Sequence, residues 1–137
     1  LREKGVAYEN NPNLDIREYI HDMPDCLAAA DLVIARAGAI TLAELTAVGR
    51  ASVLIPSPNV AENHQYHNAM VLANHKAAVV IEEKDLTGEK LVAAVKEMTA
   101  DPEKLREISL AAKALGVPNA CGHITDELLD LYKTHRK

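Results

Sequence analysis

The stretch from Arg36 to Leu45, RAGAITLAEL, follows the apolar run DLVIA and sets a turn of small residues directly ahead of a helical pattern. At Gly38 and Ala39 the lack of bulk lets backbone approach a ligand closely. The free N–H groups of Ala39, Ile40 and Thr41 point out of the helix start with the positive end of its dipole, which suits a phosphate. Glu44 fits poorly beside a phosphate and well beside vicinal hydroxyls, since one carboxylate accepts from both the 2′ and 3′ oxygens of a ribose. Thr41-x-x-Glu44 also reads as a capping box that satisfies orphan amides at a helix start. On residue chemistry alone the two readings stand level.

A second polar cluster, ENHQYHNA, places Glu62, Asn63, His64, Gln65, His67 and Asn68 near another helix start. His64 and Gln65 share a helix face with Asn68, and amide side chains that both donate and accept are what sugar hydroxyls require. Taken alone, the segment is explained more simply as a polar, solvated first turn. His64 and His67 with Glu62 raise a metal reading, but no further ligand with defined spacing and no HExxH pattern accompanies them, so no metal is expected. His21, His75, His123 and His135 are isolated and read as surface or capping residues.

These groups need a scaffold, and the pattern along the chain supplies one. VAYEN and DIREYI read as short strands, MPDCLAAA as a short helix, DLVIA as a buried strand and ITLAELTAVG as a helix closed by Gly49. ASVLIP then reads as a strand, ENHQYHNAMVLANH as a helix, AAVVI as a strand and TGEKLVAAVKEMTA as a helix. Asp101-Pro102 stops that helix and starts the next, and PEKLREISLAAKALG and ITDELLDLYKTHRK complete the chain as amphipathic helices. DLVIA and SVLI lack polar alternation, as parallel strands covered on both faces do. The expected class is α/β, a Rossmann-like doubly wound parallel sheet, in which ligands bind beyond the carboxyl ends of the strands. Loops around YIHDMP, ARAGAIT and PSPNVAENHQ fall there.

Composition narrows the partners. The 137 residues are 48% apolar and carry a formal net charge of −5, enough for one domain with a real core and unsuited to nucleic acid as the main partner. Cys26 and Cys121 are far apart and form no CxxC pair, so they read as reduced thiols in a cytosolic setting. No apolar run approaches a membrane span, and the domain is expected to be soluble. The opening LREKGVAYEN, without an initiator Met, reads as the end of a helix running into a strand, and the chain is expected to be a fragment.

The run REYIHDMPDCLAAADLVIARAGAITLAELTAVGRASVLIPSPNVAENHQYHNAMVLANHKAAVVIEEKDLTGEKL resembles the C-terminal, donor-binding half of the MurG family of N-acetylglucosaminyltransferases. The resemblance extends from about Tyr19 through the Leu115 region and is densest in ADLVIARAGAITLAEL and IPSPNVAENHQYHNA. It implies a GT-B glycosyltransferase, built of two Rossmann-like domains with the nucleotide sugar between them, which inverts the anomeric carbon of N-acetylglucosamine on transfer from UDP to lipid I. Lipid I is undecaprenyl-pyrophosphoryl-MurNAc-pentapeptide, and its product, lipid II, feeds peptidoglycan synthesis, hence cell-wall biogenesis, cell shape and division. By the same resemblance the backbone of Ile20 reads the uracil edge with Tyr19 beside the base. Ala39, Ile40 and Thr41 hold the diphosphate and the start of the sugar, beside Gly38 whose lack of bulk admits the ligand, Glu44 holds the ribose hydroxyls, and Gln65 with His64 and Asn68 the sugar hydroxyls.

Residues 1–137 are therefore expected to form the UDP-sugar domain without its first strand and Gly-rich loop, and without the acceptor domain that supplies the catalytic base. No catalytic residue is expected in this chain, which alone should not turn over. It carries no Asp-x-Asp triplet, and the helix start at Ala39 is expected to stabilise the UDP leaving group where other transferases use a metal; no cofactor is implied. The full-length enzyme is expected peripherally on the cytoplasmic face of the bacterial cell membrane. Departures from the family pattern are Arg50-Ala51, where many relatives have Leu-Pro, and NACGHI near the end; neither is expected to touch the site. Two alternatives remain: another GT-B UDP-sugar transferase, such as a diacylglycerol glucosyltransferase or a split dolichol-linked subunit, and a non-catalytic UDP-sugar-binding module.

Overall fold

The computed structural model describes Gly5 and residues 11–135. Along this span the elements run α1 (Met23–Ala29), β1 (Val33–Ala35), α2 (Ala39–Val48), β2 (Ser52–Leu54), α3 (His64–Asn74), β3 (Val79–Val80), α4 (Gly88–Ala100), α5 (Pro102–Ala114) and α6 (Ala120–Thr134). The strands lie side by side in the order β1-β2-β3, all parallel, with Val33 opposite Ser52, Ala35 opposite Leu54 and Leu54 opposite Val80. Each parallel step needs a crossover, and α2 and α3 provide the two.

Both faces of the sheet are covered, as the unalternating apolar runs require. Leu54 packs in one cluster with Leu42 and Leu45 of α2 and Ala69 and Leu72 of α3. Its neighbour Val53 points the other way, into a cluster with Met98 of α4 and Ile108 of α5. Leu45, Val53 and Leu54 are fully buried. Ser52, also fully buried, leaves its hydroxyl without a partner among the described residues.

Local signals set the helix ends. Gly49 closes α2 in the left-handed region (φ 74°), donating its N–H to the carbonyl of Leu45, while Lys113 Nζ donates to the carbonyl of Ala47 at 2.7 Å. Thr87 caps α4 by accepting from the Lys90 amide, and Asp101 caps α5 by accepting from Glu103 and Lys104, with Pro102 in the first turn. Just past α5, Gly116 lies against α2: a Cβ there would sit 2.6 Å from the Thr46 carbonyl oxygen.

Three expectations change. DIREYI is irregular chain rather than a strand: no strand among the described residues lies beside it to complete a ladder, and its Arg17 pairs with Asp15 and, across the turn at 21–22, with Asp22. The capping box is absent: α2 begins at Ala39 with Gly38 as its N-cap, which places Thr41 inside the first turn where its hydroxyl caps nothing. The last helix starts at Ala120, four residues before the ITDELL pattern. The VAYEN strand and, but for Gly5, the LREKG helix end lie outside the described residues.

Candidate functional site

At the carboxyl ends of the three strands the chain leaves through Arg36-Ala37-Gly38, through Ile55 to Asn63, and through Ile81 to Asp85. Arg36 ties the three exits together. Its Nη1 donates to the carbonyl of Ile55 at 3.2 Å, beyond β2, and to the carboxylate of Glu83, beyond β3. No local pattern reveals this residue, since its partners lie 19 and 47 positions away.

The mouth of α2 opens on this edge. Gly38 adopts φ −68° and ψ 146°, a conformation open to any residue, and a Cβ there would meet nothing closer than the Thr41 hydroxyl at 3.9 Å. The fold therefore does not demand glycine at this position, and its smallness leaves the helix mouth clear. No side chain caps the mouth, so the amides of Ala39, Ile40 and Thr41, in the first turn, lack intrahelical partners. Ile40 is exposed to 77% and Glu44 is exposed, on the same helix face as Thr41 and Ile40 by i+3 and i+4 spacing. Glu44 has no hydrogen-bond or ion-pair partner among the described residues.

The start of α3 comes against this mouth. Asn68 Nδ2 donates to the Ala37 carbonyl at 3.4 Å, joining the polar helix to the RAGA turn, and Gln65 Oε1 accepts the Ser57 amide at 2.9 Å. A carbonyl only accepts and an amide N–H only donates, so both side-chain orientations are fixed, leaving Asn68 Oδ1 and Gln65 Nε2 for another partner. His64 is exposed, and its Nδ1 donates to the Ala61 carbonyl at 2.9 Å. Before it, Glu62 (φ 53°) and Asn63 (φ 51°) are successive non-glycine residues in the left-handed region, a conformation that costs about 1 kcal/mol or more per residue and clusters at functional sites. Among the described residues no group of three or more His, Cys, Asp or Glu is placed to hold a metal ion.

Tyr19 and Ile20 stand on the irregular segment ahead of α1. Tyr19 is 71% exposed with its ring 4.7 Å from that of His21, and Ile20 is half-buried in an open hollow it shares with Asp15, Ile16, Arg17 and Cys26. α1 packs on α2, but no described hydrogen bond joins Tyr19 or Ile20 to the helix mouth. Arg50, a departure expected to be remote, holds α1: its guanidinium donates to the carbonyls of Leu27, at 2.9 Å, and Ala28. A second hollow beside α3, lined by Pro56, Pro58, Asn63, Tyr66, Glu82, Glu83 and Lys84, was missed in the sequence; the charged triplet after AAVVI was its one local signal.

The class is an α/β domain with a parallel sheet covered on both faces and its polar groups gathered beyond the strand ends. The profile of the glycosyltransferase family 28 C-terminal domain matches residues 2–124, and the chain belongs to that family. It is 48% identical over 124 residues to the UDP-N-acetylglucosamine--N-acetylmuramyl-(pentapeptide) pyrophosphoryl-undecaprenol N-acetylglucosamine transferase of Desulforamulus reducens, covering 90% of this chain and 33% of that protein. To the transferase of the same name from Bacillus subtilis it is 44% identical over 133 residues, covering 97% of this chain and 36% of the other. The crystal structure of Acinetobacter baumannii MurG superposes with a TM-score of 0.74 at 32% identity, over 82% of this chain and 32% of that one. The chain thus spans about a third of the length of these relatives.

Proposed function

We propose that residues 1–137 form the donor-binding domain of an inverting N-acetylglucosaminyltransferase that takes UDP-N-acetylglucosamine as donor and lipid I as acceptor, yielding lipid II. The observation that carries this reading is the uncapped mouth of α2, with an unpartnered Glu44 on its outer face and two amides of α3 fixed beside it. In it, the amides of Ala39, Ile40 and Thr41 take the diphosphate, with Gly38 leaving the approach open. Glu44 takes the ribose hydroxyls. Gln65 and Asn68, with His64, use their remaining polar atoms on the sugar, while the Ile20 backbone and Tyr19 meet the uracil.

Breaking the sugar–phosphate bond leaves negative charge on UDP, and preorganised N–H dipoles at a helix start stabilise charge that develops in the transition state. The base that deprotonates the acceptor hydroxyl belongs to an acceptor domain outside this chain, as do the contacts to the lipid pyrophosphate. The sheet's first strand and a Gly-rich loop are likewise supplied from outside residues 1–137. This segment alone binds donor and does not turn over. In the full-length enzyme it works at the cytoplasmic membrane surface, where a lipid acceptor is presented; no helix among the described residues is long and apolar enough to cross a membrane.

Titration calorimetry of this chain tests the reading. UDP-N-acetylglucosamine should bind more tightly than UDP-glucose. Glu44→Ala should weaken it by about 10- to 100-fold, the size of a lost charge-assisted hydrogen bond. Absence of heat with either nucleotide, or an unchanged affinity in Glu44→Ala, overturns it.

A further inference from the structure

The segment that meets the uracil in the proposed reading is held by an unusual pairing. Arg17 spreads its guanidinium between two carboxylates: Nε and Nη2 face Asp15 Oδ2 at 2.9 and 2.7 Å, and Nη1 faces Asp22 Oδ1 at 3.0 Å. Tyr19 and Ile20 lie on the loop that the Arg17–Asp22 pair closes.

Asp22 has another use available, which it forgoes. It is the N-cap residue of α1, a position where a carboxylate ordinarily accepts a first-turn amide and stabilises the helix by about 1 kcal/mol. Here its side chain makes no capping bond, and it turns to Arg17 instead. An exposed ion pair contributes at most about 1 kcal/mol, so the exchange brings little net stability. A local rule broken without compensating stability points to a functional constraint.

The geometry of the loop supplies that constraint. The Ile20 N–H and C=O have no hydrogen-bond partner among the described residues, and the hollow lined by Asp15, Arg17, Ile20 and Cys26 opens beside them. Uracil presents acceptor, donor and acceptor along its pairing edge, whereas adenine presents a donor beside an acceptor. A backbone N–H and C=O can pair with either edge, but held at a fixed distance from the ribose and diphosphate contacts the pair meets the edge of a one-ring pyrimidine and leaves no room for a two-ring purine, whereas the same pair on a slack loop adapts to either.

We infer that Arg17 and Asp22 are positioning residues for nucleobase selection: their pairing holds the Ile20 backbone where it accepts a uracil edge and rejects a purine. The inference rests on the donor-site reading above and adds the residues that set base specificity. Neither side chain need touch the ligand.

The test is the ratio of UDP to ADP affinity, measured by calorimetry on this chain, its Arg17→Ala and Asp22→Ser variants, and Arg17→Lys. Ser caps a helix as well as Asp does and is too short to reach Arg17, so Asp22→Ser opens the pairing while keeping or raising the melting temperature. In Arg17→Ala and Asp22→Ser, UDP should weaken about fivefold, the size of one neutral hydrogen bond, with ADP changed by less than about twofold. Arg17→Lys, which keeps the charge and loses the fork, should fall between. A parent chain that binds UDP no better than ADP overturns the donor-site reading and this inference together. Normal UDP preference in the parent with an unchanged ratio in Asp22→Ser, or equal loss of both nucleotides, overturns this inference alone.

Discussion

Gln65 and Asn68 each commit one end of an amide to the scaffold and leave the other without a partner among the described residues. The sequence showed two such amides on one helix face; that their inward ends brace the loops after β2 and β1 follows only from the folded chain. Glu44 is the reverse case, a carboxylate with no structural task, since the capping box that would have occupied it does not form. Substituting it should therefore alter nucleotide binding with little effect on stability, which separate melting and titration curves would show. Asp15 gives a pH prediction. Its hydrogen bond from Arg17 holds its carboxyl below the ordinary value, so the folded chain keeps Asp15 charged at lower pH than the unfolded chain does. Stability from this group is then fully present above the unfolded pKa of about 3.9 and is lost as pH falls through the lower folded value. The small difference in melting temperature between the parent chain and Asp15→Asn should stay constant from about pH 8 to 5 and close below about 4.

Elements with a strong local signature were legible. β1 and β2 followed from apolar runs, α2 from its terminal Gly49, α4 and α5 from Thr87 and from Asp101-Pro102, because caps and breakers act within a few residues. What escaped depended on distant partners. DIREYI has strand-like residues but no neighbouring strand among the described residues to pair with, and the close approach of α5 to α2 turns on Gly116, unremarkable in sequence. With a Cβ only 2.6 Å from the Thr46 carbonyl oxygen, Gly116→Ala forces those helices apart. The expected cost is about 1–3 kcal/mol, seen as a lower urea midpoint with an unchanged slope.

At the scale of the molecule, the order of strands and crossovers delivers three loops to one edge, and Arg36 fastens them there. The α/β class and the gathering of three loops beyond the strand ends were readable from unalternating strands and helix spacing; the Arg36 tie was not. The same topology leaves β1 at the margin of the described sheet, with Ile34 46% exposed. A strand's outer margin is a row of backbone donors and acceptors that another strand can complete. No strand among the described residues pairs with that margin; where it stands open, concentrated solutions of the chain should self-associate through β1, and a lysine replacing Ile34 should keep it monomeric in sedimentation. A margin that admits the right strand in a fold admits any strand when it stands open, and so becomes a seed for aggregation.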